Sequence, residues 1–186
     1  MIIDTKPNRK RPRRQPRILT ESGYIVADRF DAGIRLGEKI ERDMIVRKVG
    51  SDLSMAVVAA PSYLTMAEPI MVPGDLIRHR CINYRLTGAG SLYAWEFERG
   101  GQVLAVRVAG ALAFNEPELM LGAALDGLGV AYLLDHEVAP HVASGRLVRL
   151  LADWTPPFPG FHVYYPSRRQ MRPVLTTFLD ALRAGR

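Results

Sequence analysis

The segment Val103–Leu134, VLAVRVAGALAFNEPELMLGAALDGLGVAYLL, decides the fold, because it passes from strand to helix to strand with the punctuation each element needs. Val103, Ala105, Val106, Val108, Ala111, Leu112 and Phe114 form a strand-like apolar run. Asn115 then offers a side-chain oxygen to the first helical amides, and Glu118 stands three residues on, where a capping box needs it. Pro117 falls in the first turn, where a missing N–H costs nothing. Leu119, Met120, Ala123, Ala124 and Leu125 give the helix a wide apolar face, and Gly127 and Gly129 end it. Val130–Leu134 has no polar alternation, so the reading is a strand covered on both faces, in a parallel sheet. The fold class is therefore α/β. In such folds a helix N-terminus at a strand's carboxyl end holds small ligands, anions above all.

Outward from this segment, Ala32–Leu36 and Met55–Ala60 read as short buried strands, the second stopped by Pro61. The run Ala59, Ala60, Pro61 is the expected crossing, or hinge, between two small lobes. A short helix starts at Asp75, and Cys81–Tyr84 is a strand ending in a polar, glycine-containing loop. Trp95, Phe97 and Gly100-Gly101 read as a hairpin feeding Val103, with Glu96 and Glu98 facing water. Beyond Leu134 come a helix over Asp135–Ser144, a strand at Leu147–Leu151, a proline-rich turn, alternating Phe161, Val163 and Tyr165, and a last amphipathic helix.

The 186 residues suffice for a sizeable core, and the composition is that of an ordinary soluble protein. The net charge of +6 belongs to one place: residues 1–20 hold seven Lys or Arg against one Asp, and the remainder balances to zero. Residues 1–17 form a proline-broken basic tail that cannot fold alone. Lys10, Arg11, Arg13 and Arg14 are its candidate phosphate contacts, set against the simpler reading of an unfolded end. Arg13-Arg14 is followed by no apolar stretch, and no run approaches a membrane span, which points to the cytoplasm. Cys81 is the single cysteine, so no internal disulfide forms.

Catalytic signals are weak. His136 and His141 are five apart rather than the four that would share a helix face for a metal, and His79 and His162 have no partner nearby in sequence. No Gly-x-Gly-x-x-Gly or Walker loop is present, and Ser62 and Cys81 lack a nucleophile-elbow setting. The reading is a binding protein rather than an enzyme, with no catalytic residue, metal or cofactor.

The order and spacing of several stretches resemble the effector-binding half of LysR-type transcriptional regulators. They are Phe30–Gly37, Val57–Leu64, Asp75-Leu76 with Arg78–Ile82, Asn115, Gly127–Ala131, Gly145–Val148 and Tyr164–Arg169, spread over about residues 24 to 183. The resemblance implies two α/β lobes of the periplasmic-binding-protein type II kind, with a ligand cleft between. It assigns 18–60 with 161–186 to a first lobe, incomplete because the family's first strand and helix precede Ile18, and 61–160 to the second. It implies a first lobe that is rearranged, poorly ordered or filled by a partner chain.

Carried onto this sequence, the resemblance lines the cleft with Arg35, Leu36, Arg85, Thr87, Asn115, Glu116 and Gly129. It implies a small-molecule effector, a carboxylate or aromatic metabolite, and a homodimer or higher homo-oligomer. DNA would be contacted only through a winged helix-turn-helix that this sequence lacks. The rivals are an exported solute-binding protein, a small two-lobed enzyme and a nonspecific nucleic-acid binder acting through the tail.

Overall fold

The computed structural model describes residues 2–3, 32–36, 44–86, 90–166, 177–178 and 180–181. In chain order the elements are β1 (Ile2–Ile3), β2 (Ala32–Leu36), β3 (Met44–Lys48), β4 (Met55–Ala59), α1 (Pro61–Leu64), a 3-10 turn (Pro73–Arg78), β5 (Asn83–Tyr84), β6 (Trp95–Arg99) and β7 (Gln102–Val106). There follow β8 (Ala113–Phe114), α2 (Pro117–Leu125), β9 (Ala131–Leu134), α3 (Asp135–Ala143), β10 (Val148–Leu150), a second 3-10 turn (Ala152–Trp154) and β11 (Phe161–Pro166). The chain divides into two compact units, Met1–Asp52 with Pro159–Arg186 and Leu53–Phe158.

In the first unit the strand order is β1-β2-β11-β3, every pair antiparallel. Val163 opposes Ile34 on one side and Arg47 on the other, and Ala32, Val163 and Tyr165 form the small core with Ile34, Val49 and Phe178 packed on it. Tyr164 is buried as well, so β11 is covered on both faces there rather than alternating strictly. The edge of β2 away from β11 carries Ile2 and Ile3 opposite Gly33 and Ala32.

In the second unit β4 is the middle strand of β10-β4-β9. Its side chains alternate between two cores. Val57 and Ala59 join Trp95, Phe97 and Tyr132, while Ala56, Val58 and Ala60 join Met120, Ala124, Leu133, Val138 and Leu147. Complete burial of one valine contributes about 1.5–3 kcal/mol, so a strand fed by layers on both sides is apolar throughout.

Three expectations need correction. The crossing between units lies at Asp52/Leu53 and Phe158/Pro159, not at Ala59, Ala60 and Pro61. Ala59 is wholly buried and Ala60 nearly so, inside a packed strand and its exit into α1, where backbone rotation would tear both cores open. The crossings themselves are tied together, since Leu53 and Phe158 exchange both backbone hydrogen bonds, at 3.0 and 2.7 Å.

The second correction concerns direction: β9 is buried as expected but pairs antiparallel with β4, Met55 opposite Leu134. An unbroken apolar run reports two covered faces and is blind to the direction of its neighbours. Parallel pairing does occur, between β5 and β8 and at the Cys81–Val130 bridge. The third concerns the start of α2. Its N-cap is Glu116, extended at φ −119°, and no side chain caps the helix. Pro117 fixes the first helical position and holds the residue before it extended, which moves Asn115 one place outside.

The remaining punctuation works as read. Gly100 and Gly101, at φ +58° and +81°, make the tight β6–β7 turn, with Trp95 and Phe97 buried and Glu96 and Glu98 exposed. Gly127, at φ +72°, donates to the Ala124 carbonyl while Leu128 donates to Ala123, closing α2.

Candidate functional site

The parallel β5–β8 pair gathers three of the candidate residues at one end of the second unit. The Arg85 amide donates to the Phe114 carbonyl at 2.7 Å, so Arg85 follows β5 directly beside the point where Asn115 follows β8. Glu116 and the uncapped first turn of α2 come next. All three side chains are exposed. The Arg85 guanidinium donates through Nη1 to the Gly90 carbonyl at 2.8 Å, which steadies the loop, and no carboxylate among the described residues lies within ion-pair distance of it. Behind them Asn83 is buried, and its Nδ2 faces the carbonyls of Cys81, Gly110 and Leu112 at 3.4–3.5 Å. This arrangement can hold an anion: a guanidinium with spare donors beside helix amides that have no side-chain acceptor. Glu116 opposes a fully charged one.

Arg35 and Leu36 are the last residues of β2, opposite His162 and Phe161, in the first unit. Leu36 is exposed. Thr87 and the basic Lys10, Arg11, Arg13 and Arg14 lie outside the described residues. Gly129 is a packing residue. A Cβ built on it would stand 2.3 Å from the Arg80 carbonyl oxygen, so its hydrogen is what lets the turn after α2 lie against the chain before Cys81.

A second set of residues escaped sequence reading. Tyr63, Met66, Ala67, Glu68, Arg78, His79 and Arg80 line a pocket of about 370 Å³ in the second unit. His79, only 6% exposed, finds its partner sixteen residues away, its Nδ1 standing 3.2 Å from the Tyr63 hydroxyl. That hydroxyl accepts the Arg80 amide at 3.1 Å, and the Arg80 guanidinium lies 5.3 Å from the centre of the Tyr63 ring. The buried histidine was the available signal. Its partner comes from α1, which no local pattern links to it.

Elsewhere, Arg149 on β10 pairs with Asp135 at 2.6 Å and reaches the Met55 carbonyl and Thr155 Oγ1, joining three elements near the crossings. Burial pushes the Cys81 thiol up to about 12. Among the described residues, no helix is long and apolar enough to cross a membrane.

Comparison with known proteins places this geometry. The LysR substrate binding domain family matches residues 20–186. A Pseudomonas aeruginosa protein described as a transcriptional regulator is 50% identical over 87% of this chain and 53% of its own length. The HTH-type transcriptional regulator PgrR of Escherichia coli is 38% identical over 86% of this chain and 53% of its own length. The chain thus spans about half the length of these relatives. Among solved structures, the regulatory domain of CrgA, a LysR-type transcriptional regulator from Neisseria meningitidis, is similar at 27% identity with a TM-score of 0.67, over 89% of this chain and 80% of that one. The α/β elements agree with these likenesses, and the chain belongs to the LysR substrate-binding domain family.

Proposed function

We propose that this chain senses a small metabolite for a LysR-type transcriptional regulator, binding it without transforming it. The observation that carries the reading is the meeting of Arg85 and Asn115 at the carboxyl ends of parallel β5 and β8, against the uncapped start of α2. Together with family membership, this favours a ligand bearing a carboxylate or another hydrogen-bond acceptor. Arg85, Asn115, Glu116 and Thr87 are the candidate ligand contacts of the second unit, and Arg35 and Leu36 are candidates within the first. Gly129 supports the turn behind it. Binding shifts the conformational equilibrium of the domain, and a DNA-binding segment of the whole regulator reads that change. On this reading the protein works in the cytoplasm as a homodimer or higher homo-oligomer.

The test is a thermal-shift survey of small carboxylates and aromatic acids on the full chain. A true effector at 100 times its dissociation constant stabilises by about 2.7 kcal/mol. Arg85→Ala and Asn115→Ala abolish that gain, and Arg146→Ala, an exposed control, leaves it intact. A gain that survives the double variant Arg85→Ala/Asn115→Ala in a chain that also carries Arg80→Gln refutes the assignment, as does turnover of the bound compound.

A further inference from the structure

We propose that the pocket at Tyr63, Met66, Ala67, Arg78, His79 and Arg80 is a second binding site, for a small organic carboxylate with an apolar body. None of its residues belongs to the Arg85–Asn115 set, and it is built wholly within one unit.

The argument starts from protons. The Tyr63 oxygen accepts the Arg80 amide, and its hydroxyl proton is assigned to His79 Nδ1, 3.2 Å away. That fixes the neutral imidazole with its proton on Nε2. Nε2 is shielded from water and has no hydrogen-bond partner among the described residues. A buried donor without an acceptor is unfavourable until an acceptor reaches it.

The charges point the same way. Arg78 is matched by two carboxylates, Glu68 at 3.2 Å and Asp75 at 2.9 Å, so it offers a ligand no free charge, and Glu68 lines the pocket as well. Arg80 has no carboxylate within ion-pair distance among the described residues and rests on the Tyr63 ring, leaving its guanidinium edge available for bidentate pairing. Its backbone is pinned at both ends: the amide by Tyr63, the carbonyl by the Val130 amide at 2.9 Å. The cation therefore stands on a fixed base. Ala67 and the strongly exposed Met66 lie beside these donors, and the open pocket of about 370 Å³ admits a small molecule.

The experiment uses the full chain with nitrogen-labelled histidine, whose four side chains give a simple spectrum. At mildly alkaline pH, long-range proton–nitrogen correlations are expected to show His79 protonated on Nε2. Benzoate should shift that nitrogen saturably at millimolar concentration, acetate more weakly. Arg80→Gln, an exposed change, should weaken benzoate by about tenfold or more through loss of a charge-assisted pair. The shift should persist in Arg85→Ala/Asn115→Ala, which separates this site from the other. His79 protonated on Nδ1, a shift that never saturates, a response unaltered by Arg80→Gln, or its loss in the Arg85→Ala/Asn115→Ala variant would each overturn the proposal.

Discussion

Replacing Gly129 with alanine separates packing from binding at a position where the two readings predict opposite results. The new Cβ would lie 2.3 Å from the Arg80 oxygen and 3.1 Å from its carbonyl carbon, about 1.1 Å inside the 3.4 Å at which ordinary contacts begin. The obstacle is backbone and cannot swing aside. Arg80 is held by the Val130 amide through that same oxygen, and Ile82 donates to Val130 in return, so relief means parting the Cys81–Val130 bridge. Overpacking of this kind costs about 1–3 kcal/mol, and one weakened backbone hydrogen bond about 1 kcal/mol more. Against that, alanine restricts the unfolded chain and returns about 0.4–1 kcal/mol. The net loss is about 2 kcal/mol, which for a chain of this length lowers the melting temperature by about 4–8 °C. Scanning calorimetry measures it. Gly127→Ala is the companion: its φ of +72° costs about 1–2 kcal/mol, while its close neighbour, Ser62 Oγ, is an exposed side-chain end that can rotate away. If Gly129→Ala melts with the parent protein and loses only ligand-induced stabilisation, the steric reasoning is refuted and Gly129 belongs to the ligand site.

The other predictions rest on single groups. Amides of Val72 and Met71 donate to the Asp75 carboxylate and, with Arg78, hold its pKa below the ordinary 3.8. The folded state thus favours the ionised form, giving stability that is complete above 3.8 and is lost as pH falls through the lower folded value. Asp75→Asn should lower the melting temperature at neutral pH and flatten its acid limb; an unchanged acid limb contradicts this. Cys81, its thiol raised to about 12 by burial, should resist iodoacetamide in the native state at mildly alkaline pH and react on unfolding. Rapid native alkylation would show that the core around it opens. Tyr132 stacks on Trp95 with ring centres 5.2 Å apart, and its hydroxyl donates to the Glu96 carbonyl. Tyr132→Phe should keep the stack and cost about 1 kcal/mol in urea unfolding, whereas a neutral result would mean the hydroxyl is as well served by water.

What could be read in advance follows from the range of the physics. Strand β4, the glycine turn at 100–101 and the close of α2 are written in contiguous residues, because apolar runs and positive-φ glycines act over a few positions. Arg85, Asn115 and Glu116 could be nominated because each follows a strand or opens a helix. The meeting of Arg85 with Phe114 depends on β5 pairing with β8 across the whole hairpin between them, and only the fold supplies it. The direction of β9 was invisible for a related reason: burial on two faces leaves the same apolar signature beside parallel and antiparallel neighbours. His79 marks the limit. In sequence it is an isolated histidine, and its chemistry exists only because α1 brings Tyr63 to it and Val130 anchors Arg80 beside it.

The two exits of the chain from the second unit are held together by contacts inside it. A hinge must sit where backbone rotation breaks few contacts. Ala59–Pro61 fails that condition, since Ala59 and Ala60 feed the two cores of the second unit. At Asp52/Leu53 and Phe158/Pro159 the chain leaves that unit twice, and Leu53 and Phe158 are hydrogen-bonded to each other, so the two exits move as a pair. Arg149 braces their base by holding Asp135, the Met55 carbonyl and Thr155 together. Backbone rotation at these exits therefore falls outside the Leu53–Phe158 bridge rather than within the second unit.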